Sequence, residues 1–204
     1  MSDVTKIRDR DQIVDAAAQL FGQKGYEATS LDDVAAFLGT ARSALYYHVS
    51  GKAELRSLIQ IRRVQMLVGE CQAIADSRSS SAEKIGDIAR AHLAHFERFY
   101  PESKGWSFIT TTPLVHDESS AALHAEQRKV HACIREVIEV GVASGEFRPT
   151  DPSVAALGII GMCNYVTTWF RPEGPRSVSE VADVYAAMAV GALLTGSGHP
   201  RAEN

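Results

Sequence analysis

The sequence predicts an all-α protein of about nine helices, with a three-helix N-terminal domain followed by a larger helical domain. Apolar residues recur at helical spacing through most of the chain, whereas the alternation typical of strands is scarce. Glycines and a serine-rich stretch separate these segments. The chain has 204 residues, 45% of them hydrophobic. This is enough to bury a core, and it excludes a disordered chain.

The first helix is predicted over residues 6–23. Ile13, Ala17, Leu20 and Phe21 share one face of such a helix, because residues four and seven positions apart lie above one another. Gly25 follows as a residue suited to the left-handed end of a helix.

Two short helices follow, over residues 31–38 and 41–48. Thr29 or Ser30 can cap the first of them, and Thr40 precedes the second. Gly39 lies in the connection, where a glycine allows a sharp reversal without a side-chain clash. Two short helices at this spacing are typical of a helix-turn-helix. We therefore predict a helix-turn-helix domain over 1–52 and a helical domain over 53–204.

The second domain is predicted to contain the remaining helices. The fourth helix begins at Ser50 or Gly51 and ends at about Ala75. Later helices are expected over residues 81–99, 104–112, 117–144, 152–170 and 177–195.

Composition and motifs exclude several classes of protein. The net charge of −4 excludes a uniformly basic coat for nucleic acid, but not a local basic face. The N-terminal residues contain no apolar run, so we expect no secretory signal and a cytoplasmic location. No GxSxG, HExxH, P-loop or GxGxxG motif occurs, so we expect neither an enzyme nor a cofactor.

No metal site is expected either. Cys71, Cys133 and Cys163 are far apart and form no CxxC, which argues against a zinc knuckle and a disulfide framework. His92 and His95 share a helix face, but no carboxylates or thiols join them at ligand spacing.

The third helix has the chemistry of a DNA-reading helix. Its first residues are small, which lets its N-terminal end approach base edges in a major groove. Arg42 is the cation at that end, and paired hydrogen bonds from arginine to guanine are the commonest specific contact. Tyrosine hydroxyls and lysines commonly reach phosphates. The candidate DNA-contacting residues are Thr29, Thr40, Arg42, Ser43, Tyr46, Tyr47, His48 and Lys52.

Residues 13–59 resemble the DNA-binding domain of the tetracycline-repressor (TetR) family. The matching features are AAxxLF, GY, the Thr-Ser pair before the second helix, the turn Gly39, LYYH and KxEL. Ala41, His48-Val49 and Gly51 depart from the family's usual Ser, Tyr-Phe and Ser. The resemblance implies a homodimer on double-stranded operator DNA, with a C-terminal domain for ligand binding and dimerisation.

Residues 164–193 are similar to the tail of a TetR subgroup with the signature W-[YF]-R-P-x-G-P. That subgroup is often associated with fatty-acid, sterol and other acyl-CoA catabolism. The signal speaks more for a dimer interface than for a particular ligand.

Two long uncharged runs, 152–170 and 184–200, could span a membrane or form a subunit interface. Pro152, Asn164 and the internal glycines favour the interface. The small residues expected to permit close packing at the dimer seam are Gly158, Gly161 and Ala187.

The candidate effector site combines an aromatic run with residues of the 152–170 helix. Its residues are Phe96, Phe99, Trp106, Phe108, Met162, Tyr165, Trp169 and Arg171. Such a set could enclose an apolar chain, and a guanidinium at its mouth could meet a carboxylate or phosphate. A hydrophobic acid or its acyl-CoA ester is favoured over a neutral or cationic hydrophobe. Arg171 could equally pair across the dimer interface.

The predicted function is a ligand-responsive repressor: a homodimer on a palindromic operator, released by a small hydrophobic effector. Two alternatives stay open at this point. One is a constitutive DNA-binding regulator without an effector. The other is a small-molecule- or metal-binding enzyme with an incidental helix-turn-helix.

Overall fold

The computed structural model describes residues 9–103 and 118–195, and these residues form eight helices. No β-strand occurs among them, so the predicted all-α class is confirmed. The helix predicted over 104–112 lies outside the described residues. The helices are α1 (Arg10–Lys24), α2 (Leu31–Phe37), α3 (Arg42–Tyr46), α4 (Lys52–Ala75), α5 (Ser81–Ser103), α6 (Glu118–Ala143), α7 (Pro152–Trp169) and α8 (Val178–Leu193).

The chain divides into two compact units. The first comprises Met1–Met66 and Arg98–Gln127, and the second comprises Leu67–Glu97 and Arg128–Asn204. The long helices α4, α5 and α6 each contribute residues to both units. The domain boundary predicted at residue 52 stays a prediction.

The first unit holds the three N-terminal helices around one apolar cluster, which we call the head cluster. Side chains from α1, α2, α3 and the start of α4 pack together in it. Its members are Ile13, Val14, Ala16, Ala17, Leu20, Phe21, Leu31, Val34, Ala35, Leu45, Val49, Leu55 and Ile59.

The start of α2 is fixed by a reciprocal capping box. The Ser30 hydroxyl accepts a hydrogen bond from the Asp33 backbone amide (3.1 Å), and the Asp33 carboxylate accepts one from the Ser30 amide (2.8 Å). Lys24 at the end of α1 donates to the same carboxylate at 2.8 Å. This box satisfies helix-terminal amides that would otherwise lack partners, and it links α1 to α2.

In the second unit, polar side chains cap the N-terminal ends of three helices. Glu146 accepts hydrogen bonds from the Ser81 and Ala82 amides at 2.9 and 2.8 Å, so a residue beyond α6 caps α5. Asp151 caps α7, and Ser177 forms a capping box at the start of α8. Of the described helices, none is long and apolar enough to cross a membrane.

Gly141 allows the chain after α6 to fold back on that helix. The Phe147 side chain is buried and lies so close to the Gly141 α-carbon that a Cβ there would overlap the phenyl ring. The Phe147 amide also donates to the Gly141 carbonyl at 2.9 Å. The Arg148 amide then donates to the Leu193 carbonyl at 2.9 Å, which ties this return to the end of α8.

We predict that Asp33→Asn lowers stability at neutral pH and flattens its acid dependence. The hydrogen bonds from Lys24 and Ser30 hold the pKa of the Asp33 carboxyl well below its usual value. A lowered folded-state pKa stabilises the fold above the unfolded-state pKa of about 4, and this contribution is lost as the pH falls through the folded-state value. Urea unfolding across the acid range measures it. Parallel stability curves for the two proteins would contradict the prediction.

Gly141→Ala is expected to destabilise the protein by about 1–3 kcal/mol, because the added methyl group forces the Phe147 ring out of its packing. Gly69→Ala in α4 is the matched control, since nothing lies within 4 Å of a Cβ at that position. Alanine in a helix interior is favoured over glycine by about 0.5–1 kcal/mol. Urea unfolding should therefore give effects of opposite sign, and two equal effects would refute the packing argument.

Candidate nucleic-acid interface

The turn between α2 and α3 is built from backbone hydrogen bonds and one glycine. Gly39 has φ of +65°, a conformation that favours glycine. The Gly39 amide donates to the Ala36 carbonyl at 3.1 Å, and the Thr40 amide donates to the Ala35 carbonyl at 2.9 Å. Thr40 therefore holds the turn through its backbone, while its side chain is half-buried.

The third helix is shorter than predicted and depends on its anchors. It spans five residues, Arg42–Tyr46, and Ala41 at its N-terminus makes no side-chain capping bond. An isolated helix of this length would not persist in water, because the free-energy cost of forming the first turn exceeds what its hydrogen bonds contribute. Leu45 and Val49, which are both buried in the head cluster, fix α3 on the domain surface.

The outer face of α3 carries a cation held between a carboxylate and an exposed tyrosine. Arg42 donates to the Asp32 carboxylate at 2.8 Å and to the Tyr46 hydroxyl at 2.9 Å. Ser43 and Tyr46 are exposed, and Tyr47 has 88% of its surface exposed. Hydrogen bonds hold the Arg42 guanidinium in one orientation at the protein surface, where a base edge or a phosphate could reach it.

Residues flanking α3 have intramolecular partners. Lys52 donates to the Tyr26 carbonyl at 2.8 Å and to that of Glu27 at 3.3 Å, and its ammonium lies 4.3 Å from the Tyr26 ring centroid. The half-buried His48 ring packs edge-on against Tyr47 at 5.3 Å. Lys52 thus clamps the loop after α1, and DNA would have to draw it away from those carbonyls.

Thr29 does not fit its predicted contact with DNA in this conformation. It is 2% exposed, and its hydroxyl donates to the Gly25 carbonyl at 2.8 Å. Ser30, not Thr29, caps α2. A buried hydroxyl that is already bonded inside the domain offers nothing to a phosphate, so the structure gives Thr29 a packing role.

The described residues predicted for an effector site are divided between the two units. Phe96 is buried in the second unit and packs edge-to-face against Phe170 at 5.8 Å. Phe99 belongs to the first unit, where the Arg63 guanidinium lies 4.8 Å from its ring. Arg171 donates to the carbonyl of Phe170, the residue directly before it, at 2.9 Å. Trp106 and Phe108 lie outside the described residues.

The other predicted effector residues lie on α7, and two of them share its exposed face with glycines. Tyr165 and Trp169 are 59% and 42% exposed, and Met162 is half-buried. Gly158 and Gly161 are exposed, with nothing within 4 Å of a Cβ at either position. Among the described residues, Tyr165 and Trp169 therefore belong to an outward, largely apolar face of α7.

The exposed side of α8 has the same character, and we call the exposed residues of the two helices together the α7–α8 face. It consists of exposed side chains that are mostly apolar and spaced at helical intervals. Its residues are Val154, Leu157, Gly158, Gly161, Tyr165, Trp169, Val184, Ala187, Met188 and Gly191. Exposed apolar residues at this density mark an interaction surface.

Two acidic residues of α2 were missed as parts of the interface. Sequence analysis gave neither Asp32 nor Asp33 a role there. In the structure, Asp32 orients Arg42 and Asp33 binds Lys24. One signal was present: both acids lie in the first turn of α2, between the basic residues Lys24 of α1 and Arg42 of α3 along the chain.

A buried polar pair also escaped sequence analysis. His92 of α5 lies 2.8 Å from the Asn164 side-chain oxygen of α7, and burial lowers the pKa of this histidine. The neutral ring therefore donates to the amide oxygen inside the second unit. Within the described residues, no group of three or more His, Cys, Asp or Glu side chains is placed to hold a metal ion.

Comparison with known proteins places this geometry in a family. The model of bacterial regulatory proteins of the tetR family matches residues 13–58, and the model of the tetracyclin repressor-like C-terminal domain matches residues 78–193. The chain is 26% identical over 201 residues to the HTH-type transcriptional repressor KstR2 of Mycolicibacterium smegmatis, covering 95% of this chain and 94% of that protein.

Solved structures agree. The TetR family transcriptional regulator PfmR from Thermus thermophilus is 30% identical with a TM-score of 0.71, and the match covers 88% of this chain and 97% of that one. AibR in complex with isovaleryl coenzyme A and operator DNA has the same fold, with 23% identity, a TM-score of 0.71 and coverage of 88% and 96%. The chain belongs to the TetR family of bacterial transcriptional regulators.

Proposed function

We propose that the protein is a homodimeric repressor that binds a palindromic operator through α3 and is released by a small hydrophobic effector. The exposed face of α3, with Arg42 held between Asp32 and Tyr46, is the observation that carries the proposal. Its guanidinium can offer two donors to one guanine, the commonest specific contact in a major groove. The similarity to KstR2, a repressor by name, supports repression.

The palindrome follows from the symmetry of the dimer. In a twofold dimer, the two recognition helices enter successive major grooves on one side of the DNA, so each half-site repeats the other in inverted order. The α7–α8 face supplies the apolar surface for such a dimer, and its exposed glycines let two helices approach closely. One DNA-binding domain alone would make half of the contacts and bind weakly.

The proposed class of effector rests on the apolar residues predicted for the effector site and on the relatives of this chain. AibR binds isovaleryl coenzyme A, and we extend the chemistry of an acyl group with an anionic part to this protein. An effector that releases DNA must bind the DNA-free state more tightly. By linkage, DNA must weaken the binding of the effector by the same factor.

The DNA-reading proposal is tested by selecting bound sequences from a random DNA library and measuring affinities for the selected site. We expect Arg42→Ala to cost about 1–3 kcal/mol and to relax specificity at one base pair of each half-site. Arg135→Ala in α6 is the matched control, because it removes the same charge from a half-buried arginine that pairs with Glu139. Equal affinities for the two variants would overturn the assignment of Arg42.

Gly161→Leu tests the dimer. Because nothing lies within 4 Å of a Cβ at Gly161, a leucine should leave the protomer folded and act only by keeping two α7 helices apart. We expect sedimentation to give a monomer that has lost most of its affinity for the operator. Gly69→Leu in α4, also an open position, should remain dimeric. A wild-type monomer at micromolar concentration would contradict the proposal.

A further inference from the structure

Asp32 connects α2 to the arginine that carries the proposed function. It lies in the first turn of α2, and its Oδ2 atom accepts a hydrogen bond from Nη1 of Arg42 on α3 at 2.8 Å. The start of α2 does not depend on this carboxylate, because Ser30 and Asp33 form the capping box there. The Asp32 side chain is 62% exposed and that of Arg42 is 53% exposed, and exposed ion pairs contribute little to stability. Removing Asp32 should therefore leave the domain folded.

The contact leaves Arg42 with the donors that a guanine requires. An arginine side chain has five N–H groups. One on Nη1 donates to Asp32, and one on Nη2 donates to the Tyr46 hydroxyl at 2.9 Å. Each terminal nitrogen carries one further N–H, and two donors are what the N7 and O6 acceptors of guanine take up. Arg42 can thus meet a guanine while Asp32 and Tyr46 still hold it.

The phosphates of DNA meet Arg42 on different terms. They occur at every nucleotide, so an arginine that binds them adds affinity for all sequences and discriminates among none. The carboxylate of Asp32 places the opposite charge within hydrogen-bond distance of the guanidinium, which offsets its attraction for a phosphate. Asp32 therefore weakens the contribution of Arg42 to backbone binding and leaves its hydrogen bonds to a base edge available.

We propose that Asp32 is a specificity-determining residue of the DNA-reading surface, and that it acts by positioning Arg42. It lowers the affinity for unrelated DNA and raises the preference for one base pair of each half-site. The role rests on the proposed reading of DNA by Arg42. It assigns part of the specificity to α2, which lies before the recognition helix α3 in the chain.

Asp32→Ala tests this role by two readouts. Fluorescence anisotropy gives affinities for the selected site, for the same site with the Arg42-dependent base pair replaced, and for an unrelated duplex, each over a range of salt concentrations. We expect the preference for the selected base pair to fall about tenfold. The unrelated duplex should bind more tightly, and the slope of log K against log salt should steepen by about 0.9 for each phosphate that Arg42 then contacts. A merely structural defect would weaken binding to every duplex instead.

Glu27→Ala is the matched control. Glu27 is an exposed acid in the loop between α1 and α2, so this variant removes the same charge from the same unit and leaves both hydrogen bonds of Arg42 in place. We expect it to keep the base preference of the wild type, and thermal unfolding checks that both variants are folded. If Asp32→Ala changes the base preference no more than Glu27→Ala does, the proposal is overturned.

A second variant and a double mutant show whether the effect passes through Arg42. Asp32→Asn retains an acceptor oxygen for Nη1 and removes the charge, so it should lose less of the base preference than Asp32→Ala while it also binds unrelated DNA more tightly. In an Arg42→Ala background, Asp32→Ala should relax the base preference no further, because residues that act through one contact are not additive. An equal loss of preference with and without Arg42 would contradict the positioning role.

The failures of the two proposals can be told apart on the same preparations. If Arg42→Ala relaxes the base preference and Asp32→Ala does not, the role of Asp32 is wrong and the DNA-reading proposal stands. If the wild type selects no DNA sequence, the proposed function fails, whatever the Asp32 variants do.

Discussion

The burial of Leu45 and Val49 in the head cluster is the contact on which the DNA-reading surface depends. The α3 helix has five residues and no side-chain cap, so its own hydrogen bonds cannot maintain it. Packing against α1 and α2 supplies what local structure lacks. The orientation of Arg42, the exposure of Tyr47 and the reach of the helix into a groove all follow from those two anchors.

The charged residues around α3 that would contact DNA already have partners within the protein. Arg42 is bound to Asp32, Lys24 to Asp33, and Lys52 to backbone carbonyls of the loop after α1. Phosphates must compete with these partners, so part of the affinity for DNA is spent on exchanging them. In return, the side chains are already ordered when DNA arrives, which lowers the entropic cost of binding.

The helices and their breaks were predictable from sequence, because helical spacing and turn glycines are local signals. Gly39 marked the turn between α2 and α3. The sequence could not distinguish an apolar face that meets its own chain from one that meets a partner, since both have the same periodicity. For that reason the sequence assigned Tyr165 and Trp169 to an effector site, whereas in the structure both also belong to the exposed α7–α8 face. The partners of Thr29, Lys52 and Arg171 were equally hidden, because each is a backbone carbonyl whose position depends on the fold.

Amide hydrogen exchange at α3 tests the dependence of the reading helix on the head cluster most directly. The amides of His48 and Val49 donate to the Leu45 carbonyl, so they report on whether that end of the helix is formed. If the cluster holds α3, these amides are protected as strongly as those in the interior of α1, and Leu45→Ala lowers both together. Exchange of the His48 and Val49 amides at unprotected rates in the wild type, with α1 still protected, would contradict the account.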